Sequence, residues 1–600
     1  MTKLTSKINL KNYYKAFIIW RLKSVTDFQY MVFMSFLVGI ACGVAAVVLK
    51  NAVQFTYLFI TNPSFFSESH SNFLFLCYPM IGITITVLII KYLIRDDLSN
   101  GVTKVMYTMS RKKGRLKIHN CYSSIITSCF TVAFGGSVGL EAPIVMTGGA
   151  LGSNFGRLGR LNTKNTLILI GCGAAGGISA AFKAPIAGII FVFEVLMLDL
   201  TMSTAIPLLV SAITSSMIAY FFLGQGVELN FKVTSQFELS KIVGFIFLGV
   251  VSAFVSLYFL KVNKQIGKLF RRFGTWTKII VGGLTLGVLI FLFPPLFGEG
   301  YNSLDILLKN DISTLFNNTF FYNYRNSHWM LLGILCAIIV LKAIATSVTT
   351  SSGGIGGVFA PSLFIGGFTG YFVGKLINMS GLLVIDECNF ALVGMAAVMT
   401  GIMHCPLTAT FLIAEITGGY ALFAPLMIAT TISYLVVKPI NKYSIYSEQL
   451  AKEGNLMTHN KDKTALQSID KRKIIETDFV VLLPSASLRD IANATTRSNR
   501  SFFPVVDKKN NFCGVVVIDD CREFLFKPEY YDIYKASDFI RYSEYFISDI
   551  SEPLEKMVRK FEGKDRYTLI ITDKGKFVGC LSRANVYAKY RNYVSTFSEE

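Results

Sequence analysis

One carboxylate, Glu141, stands in the otherwise uncharged stretch Gly136 to Gly156, GSVGLEAPIVMTGGALGSNFG. Gly139, Glu141 and Pro143 sit where a loop turns into a helix, since proline suits a first helical turn and glycine permits unusual backbone angles just before it. Unpaired N–H groups and the positive end of the dipole make such a terminus an anion site, which the lack of Cβ atoms opens to close approach. Glu141 can be a tethered occupant of that site. The bland alternative is a cap whose carboxylate satisfies orphan amides. From Pro143 to Gly156 is fourteen residues, about 21 Å of helix against a hydrocarbon core of roughly 30 Å, so a half-helix ending inside a bilayer is expected.

The elements that position this acid occur twice. Gly357-Val358-Phe359-Ala360-Pro361 repeats Gly139-Leu140-Glu141-Ala142-Pro143, and Gly148, Gly152 and Gly156 recur as Gly366, Gly370 and Gly374, each 218 residues on (357 − 139). Both helices therefore carry a small-xxx-small packing face. Pro185 with Glu194 returns as Pro406 with Glu415, each pair nine apart, which reads as a pair of structural hydrogen-bonding acids. Two related halves, each with an interrupted helix, are the pattern of a membrane transporter or channel with a site near the midplane.

Composition agrees. A chain of 600 residues with mean hydropathy +0.50 and only 16% charged residues describes a polytopic membrane protein with a soluble part. The net charge of +20 falls in short clusters beside apolar spans, which fits positive-inside topology and not nucleic-acid binding. Residues 1–30 read as a basic arm without a secretory signal. Met31 to Ile60 then runs outward, the 61–72 loop lies outside, and Phe73 to Ile94 returns to the basic Arg111 to Lys117. Lys261 to Lys278 forms a second inside loop opposite the 226–240 loop, and the tail after Lys438 is inside. The eleven cysteines are scattered, among them Cys42, Cys77, Cys172 and Cys336 in apolar spans, and are assigned to packing. The dispersed histidines suggest no metal, and no nucleophile or cofactor motif suggests an enzyme. Lys183 and Lys342 are costly in apolar runs unless they meet water, a carboxylate or carbonyls. One role for them is to make an anion pathway positive, and snorkelling or pairing to a structural acid is the other.

Over about residues 30 to 450 the chain resembles the CLC family of chloride channels and chloride/proton exchangers. The resemblance implies an all-α polytopic membrane domain of two inverted homologous halves with broken helices. It implies a homodimer in the lipid membrane with one pore per subunit, moving chloride or another small anion and needing no cofactor. Glu141 then matches the family's gating glutamate. Anion ligands would come from Gly139, Leu140 and Glu141, from Val358 and Phe359, from the tyrosine matched by Tyr443 in NKYSIYSEQLAKEG, and from Asn100, which stands at the usual serine position of a segment where Thr103 replaces a proline. Family exchangers have a second glutamate after the one matched by Glu194, where this chain has Val195. A gated channel is the preferred expectation, a chloride/proton exchanger the alternative, and a CBS-regulated cation transporter a remote third. The multi-pass protein is expected in the cell (inner) membrane with both termini cytoplasmic.

Beyond about Asn441 the chain turns polar with short strand-like runs. Phe502 to Asp520 and Tyr567 to Asn585 each give strand, turn, strand and helix start after an amphipathic helix. The pair resembles tandem CBS motifs, an α+β regulatory module that often follows the membrane part in this family. The domains are therefore drawn at 1–30, 31–445 and 446–600. Asp520 stands where nucleotide-binding CBS motifs often hold a ribose, with Asn585 at the other position. Adenine-nucleotide sensing and a purely structural regulatory role both remain open.

Overall fold

The computed structural model describes residues 21, 23–60, 73–98, 100–111, 114–224, 238–311, 314, 328–381, 383–453, 469–542, 547–561 and 567–598. Most of the basic arm, the 61–72 loop and most of the 226–240 loop lie outside them.

Residues Met1–Leu456 and Met457–Glu600 form two compact units. In the first, the helices are α1 (Asp27–Ile60), α2 (Tyr78–Leu88), α3 (Gly101–Arg111), α4 (Ser123–Ala133), α5 (Glu141–Leu158), α6 (Thr163–Phe182), α7 (Pro185–Glu194), α8 (Met202–Leu223) and α9 (Ile242–Phe270). They continue as α10 (Thr275–Leu292), α11 (Tyr301–Leu308), α12 (His328–Ser351), α13 (Phe359–Ser380), α14 (Glu387–Met403), α15 (Pro406–Ile416), α16 (Phe423–Ile440) and the short α17 (Glu448–Lys452). Among the described residues seven helices are long and apolar enough to cross a membrane.

The small-residue faces explain the packing. A Cβ on Gly148 would lie 2.0 Å from the Gly173 carbonyl oxygen, and one on Gly370 would lie 2.0 Å from that of Phe390. Only glycine lets α5 lie directly on α6, and α13 on α14. These four helices form the buried centre, so their backbones satisfy each other's shape where side chains would hold them apart.

Reciprocal bonds relate the halves. The Ser137 amide donates to Thr349 Oγ1 at 3.1 Å, and the Ile355 amide donates to Thr131 Oγ1 at 3.1 Å. Swapping i with i + 218 turns either bond into the other, which is the signature of a two-fold relation. Two features of the second symmetric segment repeat likewise, at an offset of 221 residues (404 − 183). Lys183 (φ 55°) and His404 (φ 59°) end α6 and α14 in the left-handed region, and Pro185 and Pro406 then open α7 and α15 at a position whose N–H would be orphaned anyway.

The structure corrects two expectations. α5 spans 18 residues and α13 spans 22, about 27 and 33 Å of helix, so both are longer than the fourteen-residue half-helix expected, and α13 is long enough to cross a hydrocarbon core of roughly 30 Å. What is buried is where each begins. After α16, Tyr446 and Leu450 are buried and Lys264 pairs with Glu448 at 3.1 Å. Cys77 and Cys336 are exposed and do not pack in the core.

The second unit holds a sheet of order β1-β7-β6-β5 and another of order β2-β3-β4. The strands are β1 (Ile475–Glu476), β2 (Phe502–Val506), β3 (Phe512–Val517), β4 (Ile540–Arg541), β5 (Ile547–Asp549), β6 (Thr568–Asp573) and β7 (Lys576–Ser582), with helices α18 (Leu488–Arg497), α19 (Ile518–Leu525), α20 (Leu554–Arg559) and α21 (Arg583–Ser598). Both expected hairpins form, β2–β3 and β6–β7. They meet turn to turn, the Phe512 amide donating to Gly575 O at 3.0 Å and the Phe577 amide to Asn510 O at 3.1 Å, again a reciprocal pair.

Candidate functional site

The two repeated motifs touch at their first glycines. The Gly139 amide donates to Gly357 O at 2.9 Å and the Gly357 amide to Gly139 O at 2.7 Å. This two-glycine bridge sets the starts of α5 and α13 side by side. Leu140 and Val358 are the residues just before each helix, and neither caps its helix with its own side chain. Glu141 and Phe359 are the first helical residues, and Pro143 and Pro361 fall in the first turn, where a missing N–H costs no intrahelical bond. First-turn amides from both halves thus converge on one buried place.

Glu141 is 3% exposed. It is not the cap, since it lies inside the helix. Its Oε1 accepts from the Tyr301 hydroxyl at 2.9 Å. Its Oε2 is buried over Gly139, beside Ala360 of the facing helix and within reach of the backbone amides of Glu141 and Ala360. A carboxylate oxygen buried against the starts of α5 and α13 occupies a position where helix-start amides favour negative charge. Phe359, in the equivalent position, is buried and stacks obliquely on Phe182 with ring centres 5.2 Å apart.

Compared with known proteins, residues 81–438 match the family described as voltage gated chloride channel, and residues 472–527 match the CBS domain. The chain belongs to the CLC family. It is 26% identical over 552 residues to chloride channel protein CLC-e of Arabidopsis thaliana, covering 81% of this chain and 75% of that one. It is 29% identical over 388 residues to a chloride channel protein described as ClcB-like from Ralstonia nicotianae, covering 63% and 85%. Among solved structures, a slow cyanobacterial Cl−/H+ antiporter superposes with a TM-score of 0.61 at 21% identity, covering 72% of this chain and 99% of that one. The CBS-regulated cation transporter finds no support among these relatives and is dropped.

In this CLC chain a third helix start reaches the same place. A Cβ on Gly101 would lie 2.8 Å from Ala142 O, so α3 begins against α5. Asn100, immediately before it, is exposed, with φ 54° in the left-handed region that asparagine tolerates. Thr103, where the family has proline, uses its hydroxyl to donate to Tyr446 O at 3.0 Å. Beside this turn Asp96 bonds Lys104 at 3.0 Å and faces Lys117 and His119. Burial alone would raise its carboxyl, but these cations win and hold it below the usual range.

The two tyrosines of this segment sit differently. Tyr446 is buried, within electrostatic reach of Glu141, and its hydroxyl points to Met403 Sδ at 3.9 Å. Tyr443 is half-buried, with the Lys442 ammonium 5.9 Å from its ring centre. The segment repeats Tyr-Ser at 443 and 446, and Thr103 meets the second through its backbone carbonyl.

Glu299 and Tyr301 were not singled out in the sequence. The Leu140 amide donates to Glu299 Oε1 at 3.0 Å, so one short loop places a carboxylate on the amide before the helix and a hydroxyl on Glu141. The cue available was Gly298-Glu299-Gly300-Tyr301, with both glycines at positive φ. Lys342, wholly buried, donates to Leu296 O at 3.3 Å and Gly298 O at 2.9 Å and lies 4.6 Å from the Phe364 ring centre. The carbonyl option holds for it, as it does for Lys183, which donates to Gly224 O at 3.0 Å.

Glu194 and Glu415 are structural acids. Glu194 accepts from the amides of Leu407 (3.0 Å) and Thr408 (2.7 Å) and from the Thr408 hydroxyl, while Glu415 accepts from those of Ile186 (3.0 Å) and Ala187 (2.8 Å). Each acid caps the helix that bears the other. In the second unit, Asp520 is paired with Arg541, and Asn585 Nδ2 donates to Glu476 at 2.6 Å.

Proposed function

We propose that this protein conducts chloride passively through a pathway gated by Glu141, as a homodimer with one pore per subunit. The observation that carries the anion reading is the two-glycine bridge, which brings helix starts of both halves to one buried acid. An anion leaving water needs replacement ligands, because a bare charge in hydrocarbon costs many kcal/mol. First-turn amides of α5 and α13, the Tyr446 hydroxyl and, at the water-facing end, Asn100 are suited to supply them. Displacement of the Glu141 carboxylate by the anion, or its protonation, then opens the path. Positive-inside charge supports cytoplasmic termini in the cell membrane.

Val195 favours a channel over an exchanger. It is buried at the end of α7, where a second titratable group would be needed to relay protons, and valine carries none. The reversal potential under opposed chloride and pH gradients decides the point. A channel sits at the chloride equilibrium potential at every pH, whereas uphill proton movement driven by chloride establishes an exchanger. In the second unit, the Asp520 and Arg541 pair offers a ribose acceptor beside a phosphate partner, a basis for adenine-nucleotide regulation that direct titration with ATP tests.

A further inference from the structure

We propose that Glu299 is a second acid of the gate, which holds the Leu140 amide against anions arriving from the adjoining cavity and releases it on protonation, independently of Glu141. This rests on the anion-conducting reading above and deepens it.

The Leu140 N–H is the last amide before α5, and it donates to Glu299 Oε1 at 3.0 Å. A carboxylate on a helix-start amide takes the place that an anion would take. The opposite half shows the alternative. Val358, the equivalent residue, has no hydrogen-bond partner for its amide among the described residues. The difference lies in the loop between α10 and α11, which serves only the first half.

That loop is built to deliver the acid. Lys342 clamps it through Leu296 O and Gly298 O. Gly300 has φ 89°, and a Cβ there would lie 2.4 Å from the Phe364 ring, so both the backbone angle and the space demand glycine. Two residues after Glu299, Tyr301 binds Glu141. One rigid turn therefore controls the gate acid and the amide next to it.

A cavity of about 640 Å3 adjoins both acids. The groups facing Glu299 around it are Lys50 and Tyr57 from α1, Glu141 from α5, Lys183 after α6 and Tyr301 from α11, with Lys342 of α12 behind the loop. The lysines draw an anion in, and the ionised Glu299 opposes it at the last step. A unit charge a few ångströms from the anion, at an effective dielectric near 20, changes its occupancy by about tenfold or more.

The test is chloride current across planar bilayers with pH varied on the cavity side, in a Glu141→Gln background that silences the first acid. Glu141→Gln alone is expected to keep a residual rise in current as that pH falls. Adding Glu299→Gln should abolish the rise and lift current at alkaline pH about tenfold. Glutamine retains an oxygen for the Leu140 amide, so folding should survive. If that variant does not fold, Glu299→Asp gives the same readout through a displaced pH profile. An unchanged profile in these variants overturns the inference and leaves Glu299 as a structural ligand. Absence of chloride current in the unaltered protein would instead sink the conduction reading beneath it.

Discussion

The starts of α5 and α13 share a backbone and differ in what hangs from it. Each has a glycine in the mutual bridge, a residue before the helix whose own side chain makes no cap and a proline in the first turn. One then presents a carboxylate and the other a phenyl ring packed on Phe182. Duplication thus supplies the scaffold in symmetric form, and the side chains depart from it at Glu141 and at the loop that brings Glu299 and Tyr301 to one side only. Parts of the molecule obeying the two-fold rule should behave alike when altered, and parts departing from it should not.

The harshest test is of the shared scaffold. Gly148→Ala and Gly370→Ala each push a Cβ to 2.0 Å from a backbone carbonyl oxygen, a clash no side-chain rotation relieves. Both should abolish recovery of folded protein in detergent, read by size-exclusion chromatography. A pair in which only one fails would show that the halves are not mechanically equivalent.

Next comes the asymmetric element. Glu141→Gln mimics the protonated acid with almost no change in size, so the fold should remain while the pH dependence of chloride flux falls by about tenfold, the equivalent of one pKa unit's free energy. Phe359→Leu should leave that dependence in place. Flux that tracks pH in Glu141→Gln as in the unaltered protein would make Glu141 a packing group.

The reciprocal caps predict equal losses. Glu194→Gln and Glu415→Gln each weaken hydrogen bonds to two amides, charge-assisted contacts worth about 1.5–3 kcal/mol. Thermal unfolding in detergent should show similar shifts for the two, whereas a much larger functional loss for Glu194 would reveal a role beyond capping. The smallest effect is expected at the paired tyrosines. Tyr446→Phe removes one hydroxyl and should weaken chloride binding by several-fold, about 1 kcal/mol, while Tyr443→Phe should leave it unchanged by isothermal titration.

Much of this was legible because duplication writes itself into the sequence. The 218-residue offset identified both helix starts, and the shared spacing of proline and acid marked Glu194 and Glu415 as a related pair. Hairpins β2–β3 and β6–β7 followed from alternating apolar runs around polar turns. What escaped notice comes from contacts between distant segments. Glu299 meets an amide 159 residues before it, and no local pattern reports that meeting. Tyr443 and Tyr446 share the same local context, and only the approach of Thr103 from α3 tells them apart. Helix lengths were underestimated because Arg157 and Leu158 continue α5 past the last glycine, at an end where polar and apolar residues are equally tolerated.

The bridge between Gly139 and Gly357 also bears on how the molecule can move. Duplicated transporters commonly alternate access by rocking one repeat against the other around a fixed site. Here the seam between repeats passes through the site itself, stitched by two backbone bonds and by the paired threonine contacts. Rocking would strip partners from these buried amides, so the seam resists motion of one repeat against the other, and a gate of single side chains would move far faster than the microsecond-to-millisecond swings of whole domains.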